Sequence, residues 1–208
     1  MHQVPDPKSP EARDFVKREL YPRRVPILEL THNWGTEAQP DFKHHPGNTP
    51  GDGFGHLAFA VTNLEEACAR LDAAGVAFKK RPSEGKMRTI AFVYDPDGYW
   101  VEIVERDDVA AGVDAPYFSY AQTMVRCKDP KPSLEFYTRD MGMTLVRETH
   151  ADTFSIYFLA TLPAGTQARR CPNAAYVAMP ASLAGAYSLP RVLCIRCLTR
   201  RARRRATS

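Results

Sequence analysis

The order of apolar and polar positions predicts a β-α-β-β-β unit in the middle of the chain. Its first strand begins at His56 and continues through the apolar run Leu-Ala-Phe-Ala-Val. A helix follows, for which Asn63 is the expected N-cap and Glu66 its capping-box partner. Gly75 suits the left-handed position that ends a helix. Three more strands are predicted at residues 76–80, 89–94 and 99–105, with an Asp-Pro-Asp-Gly turn before the last.

A second copy of the same pattern follows, but its fourth strand is not evident. Strands are predicted at 120–126, 143–148 and 154–160, with a helix over 133–141 that ends at Gly142. The spacing from His56 to Gly75 is 19 residues, and that from Gln122 to Gly142 is 20. Similar spacing through the same order of elements indicates an internal repeat.

The segments around these units complete the predicted organisation of the chain. A helix-like stretch, 10–20, lies in a polar segment, and the apolar segment 25–31 is predicted to be a strand without a unit of its own. We expect strand 25–31 to fill the vacancy in the second copy, which would make the chain a circular permutation. The predicted divisions are 1–24, a unit at 25–106 with a long loop, a linker at 107–118, a partial unit at 119–162 and an Arg-rich tail at 163–208.

Composition indicates a globular protein without a membrane span. The chain is 44% hydrophobic and 25% charged, and no apolar run has the length of a bilayer span or a signal peptide, so a cytoplasmic location is expected. The five cysteines are odd in number and scattered, and the pair Cys194 and Cys197 is read as two ordinary thiols. Residues 191–208 contain seven arginines and no acid, yet no aromatic side chain accompanies them, so no nucleic-acid partner is expected.

Four polar side chains lie in predicted strands and are candidates for a catalytic or metal-binding role. Glu29 and Glu102 are lone acids within apolar strands, where a carboxylate is costly unless it is paired or bound to a cation. Taken singly, each acid could face solvent on an edge strand, and His56 could be a structural histidine. Together with Gln122, which opens the second copy, they form a nitrogen and oxygen donor set that suits Zn²⁺, Ni²⁺ or Co²⁺.

Longer motifs at these positions resemble the long-loop, eukaryotic type of glyoxalase I in the vicinal oxygen chelate superfamily. Segments 31–37 (THNWGTE), 53–56 (GFGH) and 95–103 (DPDGYWVEI) resemble its C-terminal half. Segments 122–126, 128–130, 133–138 and 141–145 resemble its N-terminal half, so the halves stand in reversed order, as in a fragment of a tandem-repeat member. The resemblance implies an α+β fold of paired βαβββ units (the glyoxalase/bleomycin resistance/dihydroxybiphenyl dioxygenase fold), with the second unit incomplete.

The resemblance also implies a lyase that converts the hemithioacetal of glutathione and methylglyoxal into S-lactoylglutathione. The matching metal ligands are Gln122, Glu29, His56 and Glu102, with zinc as the first choice and nickel or cobalt as alternatives. Glu102 is the first choice for the base that moves the proton, and Glu29 would serve the other face of the substrate. The matching glutathione contacts are Arg126, Asn33, Lys86 and Met87, with Lys80 as a further basic neighbour.

Some alternatives stay open at this point. The family usually has an arginine just before the GFGH motif, where this chain has Asp52, so a cation for glutathione is replaced by an anion. The chain could be an inactive glyoxalase-like fragment or a metal-free binding module of the bleomycin-resistance kind. A ring-cleaving dioxygenase of the superfamily would want a second histidine in place of Gln122. Both a monomer and a homodimer are compatible with the sequence.

Overall fold

The computed structural model describes residues 4–22, 26–49, 51–85, 87–105, 118–162 and 192–198, the last of these by backbone alone. The expected N-terminal helix is formed by α1 (Pro10–Phe15), which continues as a π-helical turn over Val16–Leu20. Among the described residues, no helix combines the length and apolar character needed to cross a membrane.

The first unit has the predicted order of one helix and four strands. It consists of β1 (Phe54–Val61), α2 (Leu64–Ala73), β2 (Phe78–Lys80), β3 (Ile90–Tyr94) and β4 (Trp100–Glu105). The Asn63 side chain accepts a hydrogen bond from the Glu66 amide at 3.0 Å, so the predicted N-cap is confirmed. Gly75 has a φ of +74°, which confirms the predicted left-handed end of α2.

The second unit repeats this order and is complete. It consists of β5 (Phe118–Cys127), α3 (Pro130–Glu135), β6 (Thr144–His150), β7 (Phe154–Ala160) and β8 (Val192–Leu198), and a π-helical turn, Phe136–Asp140, extends α3. The eight strands form one sheet in the order β2-β3-β4-β1-β5-β8-β7-β6. In each unit the first and last strands pair in parallel, and the units join through the antiparallel pair β1 and β5. The predicted repeat and the paired βαβββ architecture are therefore confirmed.

The predicted place of strand 25–31 is wrong. Residues 26–31 form no strand, and β8 occupies the position between β5 and β7 that this segment was expected to fill. The sequence of β8, Val-Leu-Cys-Ile-Arg-Cys-Leu, is apolar at every position except Arg196 and has two β-branched residues, so it suits a position paired on both sides. The second unit is thus closed by a strand from the region that was expected to be an irregular tail, and the chain is not a circular permutation in the predicted sense.

Alternation along the strands divides the sheet into a helix-covered face and a second face. The larger core cluster joins α2 to the sheet through Val61, Leu64, Ala67, Cys68, Ala91 and Ile103. The second cluster lies within the second unit, where Tyr157 and Leu159 pack against Leu134 and Tyr137 of the helical segment. Because successive strand residues face opposite sides, the neighbours of these core residues, such as Glu102 beside Ile103, lie on the face away from α2.

A glycine at the start of β1 is required by the close approach of β5. A Cβ atom at Gly55 would lie 2.8 Å from the carbonyl oxygen of Met124 and 2.3 Å from its Cε, whereas a Cβ at Gly53 would meet nothing within 4 Å. We expect Gly55→Ala to lower the free energy of unfolding by about 1–3 kcal/mol through overpacking. Gly53→Ala is the control and should change it little. Urea denaturation of both variants checks this, and equal midpoints would contradict it.

Candidate active site

Three of the predicted ligand residues come together on the face away from α2. Ala58 of β1 is the register partner of Glu102 on β4 and of Gln122 on β5, so these two residues flank β1 in one row across the sheet. His56 precedes Ala58 by two residues and therefore shares its face. The strand pairing brings residues 66 positions apart in the sequence, 56 and 122, into one cluster.

The side chains of this cluster make short polar contacts. The Gln122 amide nitrogen donates a hydrogen bond to Oε2 of Glu102 at 3.0 Å. The same oxygen lies 3.1 Å from Nε2 of His56. His56 and Glu102 are each only 8% exposed, so a carboxylate and an imidazole meet largely out of contact with water. A buried carboxylate is stabilised only where polar partners converge on it, which is the arrangement observed.

Ala58 determines whether Glu102 and Gln122 can meet. Neighbouring strands lie about 4.8 Å apart, so the two backbones are separated by about 9.6 Å across β1. Ala58 is fully buried between them, and its methyl group leaves the space that the two longer side chains use to reach each other. The contact between Glu102 and Gln122 therefore requires a small residue at position 58.

The imidazole of His56 has an unsatisfied buried nitrogen. Although Nε2 lies 3.1 Å from Glu102, the two groups are not aligned for a hydrogen bond, and Nε2 has no hydrogen-bond partner among the residues that the structure describes. The ring is oriented by an edge-to-face contact with Phe92, at 5.1 Å between centroids. Since a hydrogen bond depends steeply on alignment, this proximity alone does not satisfy the nitrogen. An unpaired buried nitrogen is costly unless a ligand satisfies it.

The cluster fits a divalent cation. It offers an imidazole nitrogen, a carboxylate oxygen and, after a half-turn of the Gln122 amide, an amide oxygen. In the part of the chain that the structure describes, no three His, Cys, Asp or Glu side chains group together as metal ligands would. The candidate site thus depends on an amide as its third donor. Its unsatisfied Nε2 atom and mixed donor set favour a cation with open positions over a closed structural site.

Arg126 lies beside the cluster but also has structural bonds. Its guanidinium donates to the carbonyl oxygen of Phe54 and to Oδ1 of Asn48, both at 2.6 Å. The Asn48 amide in turn donates to the carbonyl oxygen of Gly55 at 2.6 Å. Arg126 stands four residues after Gln122 on β5, which places it on the same face of that strand. These bonds fix the loop before β1 at the edge of the candidate site.

Asp52 lies in that same loop. Its carboxylate accepts hydrogen bonds from both the hydroxyl and the amide of Thr49, and the hydroxyl bond is the main cause that lowers the pKa of Asp52. Coulombic interactions with His45 and Arg126 lower this pKa further. Asp52 is therefore an anion held by its own loop, and it attracts Arg126.

The other predicted site residues are exposed, bonded to backbone carbonyls or outside the described residues. Glu29 and Asn33 are exposed and lie in the irregular segment outside the sheet. Met87 is 58% exposed. Lys80 Nζ donates to three backbone carbonyl oxygens. Lys86 lies outside the described residues, as do residues 107–117 of the linker predicted at 107–118, whereas Phe118 begins β5. Cys194 and Cys197 lie in β8.

Sequence reasoning missed two residues that shape the site. Ala58 lies in an apolar run, and only the register of β1 with both neighbours reveals its position between Glu102 and Gln122. Asn48 has a φ of 70°, which is uncommon for a residue other than glycine, and it bridges Arg126 to β1. Its Gly-Asn sequence was a signal for a turn, but not for this contact.

The comparisons with known proteins agree with the observed fold. Residues 10–103 match the family model described as the Glyoxalase/Bleomycin resistance protein/Dioxygenase superfamily. Glyoxalase I of Saccharomyces cerevisiae is 45% identical over 140 residues, which is 64% of this chain and 42% of that protein. Lactoylglutathione lyase of Schizosaccharomyces pombe is 46% identical over 141 residues, 66% of this chain and 46% of that protein. The chain spans less than half the length of these two relatives.

A solved structure supports the fold. A glyoxalase I mutant from Zea mays is 24% identical and has a TM-score of 0.51, covering 75% of this chain and 46% of that one. The predicted resemblance to glyoxalase I is confirmed by the two fungal relatives, and their partial coverage is consistent with a fragment.

Proposed function

We propose that this chain carries a catalytic site for the metal-dependent conversion of the glutathione–methylglyoxal hemithioacetal into S-lactoylglutathione. The observation that supports this most is the convergence of His56, Glu102 and Gln122 in a glyoxalase fold, where the buried Nε2 of His56 has no hydrogen-bond partner among the described residues. Relatives at 45% and 46% identity are named glyoxalase I and lactoylglutathione lyase. An activity on a glutathione adduct agrees with the proposed cytoplasmic location, where glutathione keeps thiols reduced.

The same three residues would hold the metal ion, with zinc as our first choice and nickel or cobalt as alternatives. When bound, a divalent cation supplies polarisation of the substrate's oxygens and stabilisation of the negative charge that forms as a proton leaves carbon. Imidazole, carboxylate and amide ligands carry a single negative charge together, so a doubly charged cation retains net positive charge for an anionic reaction centre.

Glu102 is the proposed base. Its carboxylate is buried and approaches both His56 and Gln122 through Oε2. The carboxylate would accept a proton from the carbon next to the carbonyl and return it to the neighbouring carbon, so one group serves as base and then as acid. Exclusion of water by the surrounding strands would keep this proton from exchanging with solvent.

Cationic residues are proposed to recognise the carboxylates of glutathione. Arg126 is the best placed, since its guanidinium, which also bonds Phe54 and Asn48, lies at the edge of the cluster and has the fork geometry that matches a carboxylate. Asn33, Met87, Lys86 and Lys80 remain predictions as contacts. The role of Glu29 as fourth ligand and second base also remains a prediction, because this residue is exposed and outside the sheet.

Removing individual donors tests the metal site directly. We expect one divalent ion per chain, and His56→Ala, Glu102→Ala and Gln122→Ala should each weaken zinc binding at least about tenfold, as loss of supporting groups in metal sites does. His150→Ala, at an exposed histidine, is the control and should bind zinc as the unaltered chain does. Calorimetric titration of the metal-free protein measures this. Unchanged affinity in the three site variants would contradict the proposed site.

The same titration applied to Glu29→Ala decides the role of that residue. Weaker zinc binding by this variant would confirm Glu29 as a ligand, supplied by the same chain or by a second copy. Unchanged affinity would refute it and leave a centre with three protein ligands.

The base is tested by a change that keeps the size of the side chain. Glu102→Gln retains a ligand oxygen but cannot accept a proton, so we expect kcat to fall at least ~100-fold. Glu65→Gln, on the exposed side of α2, makes the same chemical change and should leave kcat unaltered. Isomerase activity of zinc-loaded protein is the measurement. A kcat near that of the unaltered enzyme, with zinc bound, would remove Glu102 from this role.

A further inference from the structure

Two consecutive residues of the loop before β1 have left-handed backbone conformations. Gly47 has a φ of 75° and Asn48 a φ of 70°. A Cβ atom at Gly47 would lie 2.8 Å from the carbonyl oxygen of Phe54, so a glycine is needed for the loop to approach β1 this closely. Asparagine is one of the few other residues that adopt the left-handed conformation readily. The backbone at 47 and 48 therefore places the Asn48 side chain beside the beginning of β1.

The Asn48 amide joins β1 to the guanidinium of Arg126. Its nitrogen donates to the carbonyl oxygen of Gly55 at 2.6 Å, and its oxygen Oδ1 accepts from Nη2 of Arg126 at 2.6 Å. Because a carbonyl can only accept and a guanidinium can only donate, these two partners allow a single orientation of the amide. Asn48 is thus a polar bridge in which the chemistry of each partner fixes one end.

The guanidinium of Arg126 is held at both of its terminal nitrogens. Nη1 donates to the carbonyl oxygen of Phe54 at 2.6 Å, and Nη2 donates to Asn48. Since the group is planar and rigid, fixing both nitrogens fixes the plane of the guanidinium. The acceptor on Phe54 belongs to the backbone of β1, whereas the acceptor on Asn48 is a side chain that a substitution can remove.

The residue that follows Asn48 is anchored by Asp52. The Asp52 carboxylate accepts hydrogen bonds from the Thr49 amide at 2.6 Å and from the Thr49 hydroxyl, and the Asp52 amide donates to the Thr49 carbonyl oxygen at 3.0 Å. These three bonds hold the backbone directly after Asn48. The anion that precedes the GFGH motif therefore supports the arrangement that holds Arg126.

We propose that Asn48 is a positioning residue that orients the Arg126 guanidinium for a carboxylate of the glutathione part of the substrate. This inference rests on the proposed function, because Arg126 is the proposed contact for that carboxylate. Asn48 acts through Arg126 and does not touch the substrate. A guanidinium that is already held in one plane loses less freedom when it binds a carboxylate through two parallel hydrogen bonds, so the bridge strengthens binding.

Magnetic resonance of the Arg126 side chain tests the bridge without reference to activity. In ¹⁵N-labelled unaltered protein, hindered rotation should give separate Nη signals, assigned by their loss in Arg126→Lys. Asn48→Gly keeps the left-handed backbone but removes the bridge, so these signals should merge. Asn48→Asp keeps an acceptor for Nη2, and His44→Gly changes an exposed position of the same loop, so both should retain separate signals. Merged signals in the unaltered protein, or separate signals in Asn48→Gly, would overturn the proposal.

A double-mutant cycle in ligand affinity tests whether Asn48 acts through Arg126. In calorimetric titration with S-methylglutathione, Asn48→Gly should raise Kd about tenfold, and the control His44→Gly should leave it unchanged. In the Arg126→Met background, Asn48→Gly should have no further effect, because no guanidinium is left to position. An equal loss of affinity in both backgrounds, an unchanged Kd in Asn48→Gly, or no binding by the unaltered chain would show the proposal to be wrong.

Steady-state kinetics separate this proposal from the proposed function. Asn48→Gly should raise KM about tenfold while kcat changes less than about twofold, since weaker binding of the glutathione part leaves the reacting centre as it was. A lower kcat with unchanged KM would refute the positioning role while leaving the isomerase in place. If the unaltered chain shows no isomerase activity, the proposed function fails, and the Arg126 signals and the ligand affinities alone decide the role of Asn48.

Discussion

The register of β1 with its two neighbours is the constraint on which the candidate site depends. Glu102 and Gln122 can approach each other only because both are paired with the same small residue, Ala58. A slip of one residue in either pairing would turn one of them toward the helix-covered face, since side chains alternate along a strand. The closely packed Gly55 next to Met124 fixes this pairing at the beginning of β1. Backbone pairing therefore determines the chemistry that is available.

Local features could be predicted from the sequence, whereas long-range pairing could not. The Asn63 cap and the left-handed Gly75 follow from residue preferences at helix ends. The competition between segment 25–31 and residues 192–198 for one position in the sheet involves partners far apart in the chain. Both segments are apolar and short, and apolar pattern alone does not decide between them. Pro26 lacks a donor for sheet pairing, which is a physical reason that favours β8.

Charged residues were the least predictable part of the site. Arg126 and Lys80 have the right charge for an anionic substrate, and sequence reasoning assigned both to it. In the structure the Arg126 guanidinium donates hydrogen bonds to Phe54 and Asn48, and the Lys80 ammonium donates to backbone carbonyls. Side-chain charge is visible in the sequence, but competition from nearby carbonyl groups depends on how loops close. The cations proposed for substrate recognition, Arg126 and Lys80, therefore also form hydrogen bonds that hold loops in place.

The position of β8 has a consequence for how the protein reaches this structure. Strand β8 begins at Val192, and its partner β5 ends at Cys127, so the pairing closes a loop of more than 60 residues. Formation of such distant contacts is slow because the entropy of the intervening chain opposes it. Until β8 arrives, the facing edges of β5 and β7 are unpaired and can bind strands from other molecules. The first unit has all its strands within residues 54–105, so it can form early, while the second is exposed to misassembly for longer.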